Sequence, residues 1–133
     1  ADRLRPISNN VMLVPNPTDE QLSALIQEAQ IHLLVTFQAT GLKLKLLNVL
    51  YEGRHVVCNP EMVCGTELGA LCHVVTNKKA LAKTCKALYQ TPLTITEQQN
   101  REQQLLMFAP AYLTNTLLQY VSTENKQFSS IQR

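Results

Sequence analysis

The chain has 133 residues, of which 45% are hydrophobic, with few Gly and Pro and a net charge of +2. That is enough for one domain with a real core, in a globular rather than disordered chain. Acids and bases are mixed along the sequence, which argues against a nucleic-acid binder with a concentrated basic face, and no apolar run approaches the roughly 18 residues of a membrane span.

Residues 1–10 are polar and unpatterned. They open on Ala1 rather than Met and carry no leader pattern, so the expectation is a cytoplasmic chain that has been processed or, rather, cut from a longer protein. Val11-Met12-Leu13-Val14 predicts a short strand closed by Pro15 and Pro17. Thr18 and Gln21 form a capping box, and Leu22, Leu25, Ile26 and Ala29 then give a helix one apolar face. The run Ile31 to Phe37 predicts a strand buried on both faces, as in a parallel sheet. A Thr40-Gly41 turn leads into a helix over 42–52, whose far end is marked by Gly53. His55-Val56-Val57-Cys58 predicts a third strand, closed by Asn59-Pro60. Residues 61–71 suit a helical turn or two, and His73-Val74-Val75-Thr76 a fourth strand. Asn77 caps a helix over 78–89, which Pro92 stops. Thr96 and Gln99 predict a second capping box and a helix to Ala109, with Pro110 breaking it and a last helix over 111–122. Strands and helices alternate four times before the chain ends in helices, the pattern of an α/β fold with a parallel sheet. One unit is expected over 11–122, with 123–133 a frayed polar tail.

A strand, a tight turn and a helix start bring together unpaired backbone N–H groups and the positive end of the helix dipole, which suits an anion. Lys43 and Lys45 lie in the first turns of that helix, and Gly41, Lys45 and Asn48 share one face at i, i+4 and i+7. The cysteines, Cys58, Cys64, Cys72 and Cys85, lack the C-x-x-C spacing of zinc or redox sites and read as small buried hydrophobes with reduced thiols. No metal or cofactor is expected. His32, His55 and His73 read as packed or edge histidines, and Arg101 as a surface or packing residue. Glu61 and Glu67 flank the Cys64-Gly65-Thr66 turn on the side where α/β sites lie, and read as solvated loop acids. No Ser/His/Asp or Cys/His triad is supported.

The stretch Thr40-Gly41-Leu42-Lys43-Leu44-Lys45-Leu46-Leu47-Asn48-Val49-Leu50, followed by Gly53 and His55-Val56-Val57, resembles the donor-binding core of retaining two-Rossmann-domain (GT-B) glycosyltransferases. Their pattern runs T-G-hydrophobic-K-x-K-x-L-E-A-hydrophobic-A-x-G-x-P-V-V, and Gly41, Lys43, Lys45, Leu47 and Gly53 match it in spacing. The likeness is good over 31–58 and loose over 11–121. It implies a partial Rossmann-like domain: a roughly four-stranded parallel sheet flanked by helices, ending in C-terminal helices. It also implies a nucleotide-diphospho-sugar donor (UDP- or GDP-sugar), with a glycan or lipid acceptor in the full enzyme. Thr40, Gly41, Leu42 and Lys45 would approach the donor phosphates, and Gln38 and Asn48 the ribose or sugar. Asn48 stands where the family has Glu, Gln38 near its other loop acid, and His55 at its Pro. An amide hydrogen-bonds a hydroxyl but offers no carboxylate. In the family's sheet order 3-2-1-4-5-6 this chain supplies 3, 4, 5 and 6. The expectation is therefore a rearranged four-stranded sheet, or a homodimer that closes across the open edge. Without the acceptor domain the chain should not transfer sugar by itself. The alternative is a non-catalytic α/β interaction module with a degenerate donor site.

Overall fold

The computed structural model describes residues 9–40, 43–106 and 114. In chain order come α1 (Asp19–Glu28), β1 (Ile31–Leu34), α2 (Leu44–Glu52), β2 (His55–Cys58) and α3 (Pro60–Val63). A 3-10 turn (Leu68–Leu71), β3 (His73–Val74) and α4 (Lys78–Leu88) follow, and α5 covers residues 95–106. The strands form one open parallel sheet in the order β1, β2, β3. Ile31 to Leu34 pair with His55 to Cys58, and Val57 and Cys58 pair with His73 and Val74. The molecule is α/β, with three strands among the described residues rather than the four expected.

The helix starts follow local chemistry. The Thr18 hydroxyl accepts from the Gln21 N–H at 3.2 Å and the Gln21 amide oxygen accepts from the Thr18 N–H at 3.0 Å, a complete capping box. Asn77 caps α4 by accepting from the Ala80 N–H at 2.8 Å. The box on α5 is Thr94 with Glu97, not Thr96 with Gln99: Thr94 accepts from the Glu97 N–H at 3.2 Å, and Glu97 accepts from the Thr94 N–H at 2.8 Å. A carboxylate at this position also meets the positive helix end, which an amide does not.

The core lies between the sheet and the helices. Val56 and Cys58 pack with Ile26, Leu46, Leu50, Met62, Leu68 and Leu105. Fully burying side chains such as Leu46 and Leu50 contributes about 1.5–3 kcal/mol each. Side chains alternate along β2, so His55 and Val57 face the opposite way from Val56 and Cys58, and α4 packs against this strand. Helix α1 is tied to α2 by Ser23, which donates to Glu52, and by Gln27, which donates to the same carboxylate at 3.3 Å.

Four expectations are corrected. Residues Val11–Val14 are not a strand; they are exposed, and Asn16 with φ 45° redirects the chain before α1. A strand needs a ladder partner, and apolar residues alone supply none. Strand 31–37 stops at Leu34, because the Asn59 side chain takes the backbone of Thr36 in place of a neighbouring strand. Its expected burial on both faces fails as well: Leu33 is 51% and Phe37 95% exposed. β1 is an edge strand, whereas the central strand β2 is buried at all four positions. The fourth strand is likewise cut, to His73–Val74. The expected helix over 111–122 and the 123–133 tail lie outside the described residues, apart from Thr114, which is helical.

Candidate functional site

The chain leaves the sheet at Leu34 and is caught at once. The Thr36 N–H donates to the Asn59 amide oxygen at 3.1 Å, and the Asn59 amide nitrogen donates to the Thr36 carbonyl at 2.6 Å. The Thr36 hydroxyl accepts from the Gln38 N–H at 3.2 Å. The Lys43 ammonium donates to the carbonyls of Gln38 at 3.4 Å and Glu61 at 3.2 Å. Lys43 is the residue before α2, and its own side chain makes no capping hydrogen bond to the helix. The first-turn N–H groups of a helix have no carbonyl partner within it.

Around this turn lies an open cleft of about 510 Å³, lined by Leu34, Thr36, Gln38, Thr40, Lys43 and Lys45 among others. It sits at the C-terminal end of β1, where ligands enter α/β sheets. Gln38, Thr40 and Lys45 are thus brought to one cleft, all three exposed. Asn48 is not with them. It lines a separate pocket of about 350 Å³ with Leu22, Leu25, Ile26, His32 and Val49, which shares Lys45 and Leu34 with the first. Being three residues past Lys45, it sits nearly a helical turn further from the helix start. Gly41 and Leu42 lie outside the described residues.

The opposite end of the sheet is polar in a different way. The Gln30 amide donates to the carbonyls of Leu88 at 3.1 Å and Thr91 at 2.7 Å. His55 is 2% exposed, and its Nε2 lies 2.7 Å from the Thr91 carbonyl, so that nitrogen carries the hydrogen. Arg101 is 7% exposed and donates to the Gly53 carbonyl at 2.9 Å. Burial pulls its guanidinium below the usual arginine range, while the neighbouring Cys72 and Glu97 work the other way. The ring of His73 lies 5.8 Å from that of His55, and burial followed by this neighbour lowers its pKa. His55, His73 and Arg101, together with Glu97 and Asn100, line a small pocket of about 120 Å³.

His32 completes this end. Its Nε2 is buried without a hydrogen-bond partner, and a Cβ on Gly53 would stand 2.5 Å from it and 2.7 Å from the Val49 carbonyl. Glycine at 53 is therefore required by close approach, beyond ending α2. Desolvation lowers the His32 pKa, and a backbone hydrogen bond at Ile26 raises it in part.

The cysteines are free: Cys58 is buried, Cys64 exposed, and Cys72 and Cys85 half-buried. Cys64 is thus not the buried hydrophobe expected of it. A thiol hydrogen bond with Cys72 holds Cys58 below its usual pKa and pushes Cys72 well above it. No group of three His, Cys, Asp or Glu suited to a metal occurs among the described residues, and no helix there is long and apolar enough to cross a membrane.

Asn59 and Gln30 were not singled out by sequence reasoning. Asn59 stands before Pro60 and reads as an ordinary strand-ending turn; its pairing with Thr36, 23 residues away, leaves no local signal. Compared with protein-family models, curated proteins and solved structures, the chain matches none.

Proposed function

We propose that the cleft beyond β1 takes the diphosphate of a nucleotide-diphospho-sugar, and that the chain is a Rossmann-like donor-binding part of a glycosyltransferase. The observation that carries this reading is the convergence of Gln38, Thr40, Lys43 and Lys45 on one open cleft beside the start of α2, which the Lys43 side chain does not cap. Open N–H groups and the helix dipole favour negative charge there. Lys45 supplies a point charge, and Lys43 is spent on two backbone carbonyls. The amide of Gln38 suits hydroxyls of the ribose or sugar, whereas Asn48 opens into the neighbouring pocket and is left out of this reading. Transfer to a glycan or lipid acceptor belongs to the full enzyme, since catalysis needs both reactants held together.

A second reading keeps the fold without the chemistry. The exposed Leu33 on the edge strand β1, with Val35 and Phe37 just beyond its end, favours it, because an open apolar edge suits pairing with a further strand or a second copy.

Ligand-observed NMR with UDP, GDP and their sugars separates the two readings. Under the donor reading the chain binds at least one of them, and Lys45→Ala weakens that binding about tenfold through loss of a charge-assisted contact. Absence of binding, or binding indifferent to Lys45→Ala, overturns the donor reading.

A further inference from the structure

We infer that Asn59 is a positioning residue for this cleft, holding the 36–40 turn that carries Gln38 and Thr40. The inference rests on the donor-binding reading above.

The geometry is a closed ring of five residues. Asn59 bonds both backbone groups of Thr36, at 3.1 and 2.6 Å. Thr36 fixes Gln38 through its hydroxyl, at 3.2 Å to the N–H and 3.3 Å to the carbonyl. The Gln38 carbonyl accepts from Lys43 at 3.4 Å, and Lys43 reaches the Glu61 carbonyl at 3.2 Å. The Glu61 carboxylate closes the ring by accepting from the Asn59 amide at 2.6 Å. Every link uses a side chain, so none of it follows from the sheet ladder or a helix.

Asn59 is the member that no other residue type replaces. It follows Cys58, the last residue of β2, whose partner in the register is Leu34. Beyond that pair the two backbones part, and the Asn59 amide continues the pairing with one acceptor and one donor, as a peptide group would. Its second N–H points to Glu61, which fixes which way the amide is turned. An aspartate offers the acceptor alone, and would set a second carboxylate against Glu61 and the Thr36 carbonyl.

A turn fixed in this way presents its ligand groups without paying for their ordering on binding. The consequence is measurable. Asn59→Ala and Asn59→Asp should each weaken binding of the UDP or GDP ligand about tenfold. Glu61→Gln, whose amide oxygen still accepts, should change it by no more than about twofold. Amide exchange at Thr36 should quicken about tenfold in Asn59→Ala, while exchange at Val56 and Val57 in the central strand stays at the native rate. That pair of rates shows that the sheet is folded in the variant, and Asn59→Asp gives a second test if Asn59→Ala does not fold. If the native chain binds and both Asn59 variants bind equally well, the positioning role is overturned and the donor reading survives. If the native chain binds neither nucleotide, the donor reading itself fails and the proposal goes with it.

Discussion

At the end of the sheet where the strands begin, Gln30, His55 and Arg101 each spend their donors on a backbone carbonyl: Leu88 and Thr91, Thr91, and Gly53. At the end where they finish, Gln38, Thr40 and Lys45 line an open cleft with their side chains exposed. The residue types are alike and their situations differ. A buried donor is costly unless paired, so polar groups at the first end lock the loop after α4 and helix α5 onto the sheet. An exposed donor at the second end has water as its partner, which a ligand can displace. Lys43 and Asn59 belong to the second end but behave like the first, because they hold the turn in place.

The sharpest way to break this comparison is Arg101→Ala. It removes a buried charge-assisted bond and leaves the Gly53 carbonyl without its donor, so unfolding in urea should show a loss of about 2–4 kcal/mol. Ligand binding in the cleft should be unaffected. A variant as stable as the native chain would mean that the first end is not a lock. Gly53→Ala comes next: its Cβ meets the Val49 carbonyl at 2.7 Å, and backbone has to move. A loss of about 1–3 kcal/mol is expected for such overpacking, and combining it with His32→Ala should recover only the part due to the ring.

The smallest effect is on pH dependence. His32 has a folded-state pKa below the ordinary value chiefly through burial; that of His73 is lowered as well, but the residue is exposed, so solvent screening leaves it the smaller share. The fold therefore favours the neutral ring. Their contribution is fully present above the unfolded-state value, about 6.5, and is lost as pH falls from there towards the folded-state values. The urea midpoint should drop between about pH 7.5 and about pH 5.5, and His32→Gln should flatten part of that drop. A midpoint that stays level across this window would show that neither ring is constrained by burial.

Much of this was legible in local sequence. The Thr18–Gln21 box, the Asn77 cap, Gly53 at the end of α2 and the strand His55–Cys58 all stand where the residue pattern puts them. These features depend on neighbours within four residues or on simple apolarity. Prediction failed where apolar residues needed a partner from elsewhere. Val11–Val14 and Ile31–Phe37 have similar character, yet the first forms no strand and the second stops at Leu34. Around the turn, Gln38, Thr40 and Lys45 line one cleft, while Asn48, on the same helix as Lys45, opens into another pocket.

The sequence by itself determined the starts of α1 and α4, the end of α2, the α/β alternation and the concentration of amide and cationic groups around residues 38–48, because capping and periodicity act over a few residues. Only the tertiary structure decided which strand is central, which face of β1 stays bare, and that Arg101 and His55 are buried anchors. It alone joined Asn59 to Thr36 across 23 positions. Those outcomes depend on which distant backbone groups are left unpaired when the sheet closes, and a chain read residue by residue does not contain that information in local form.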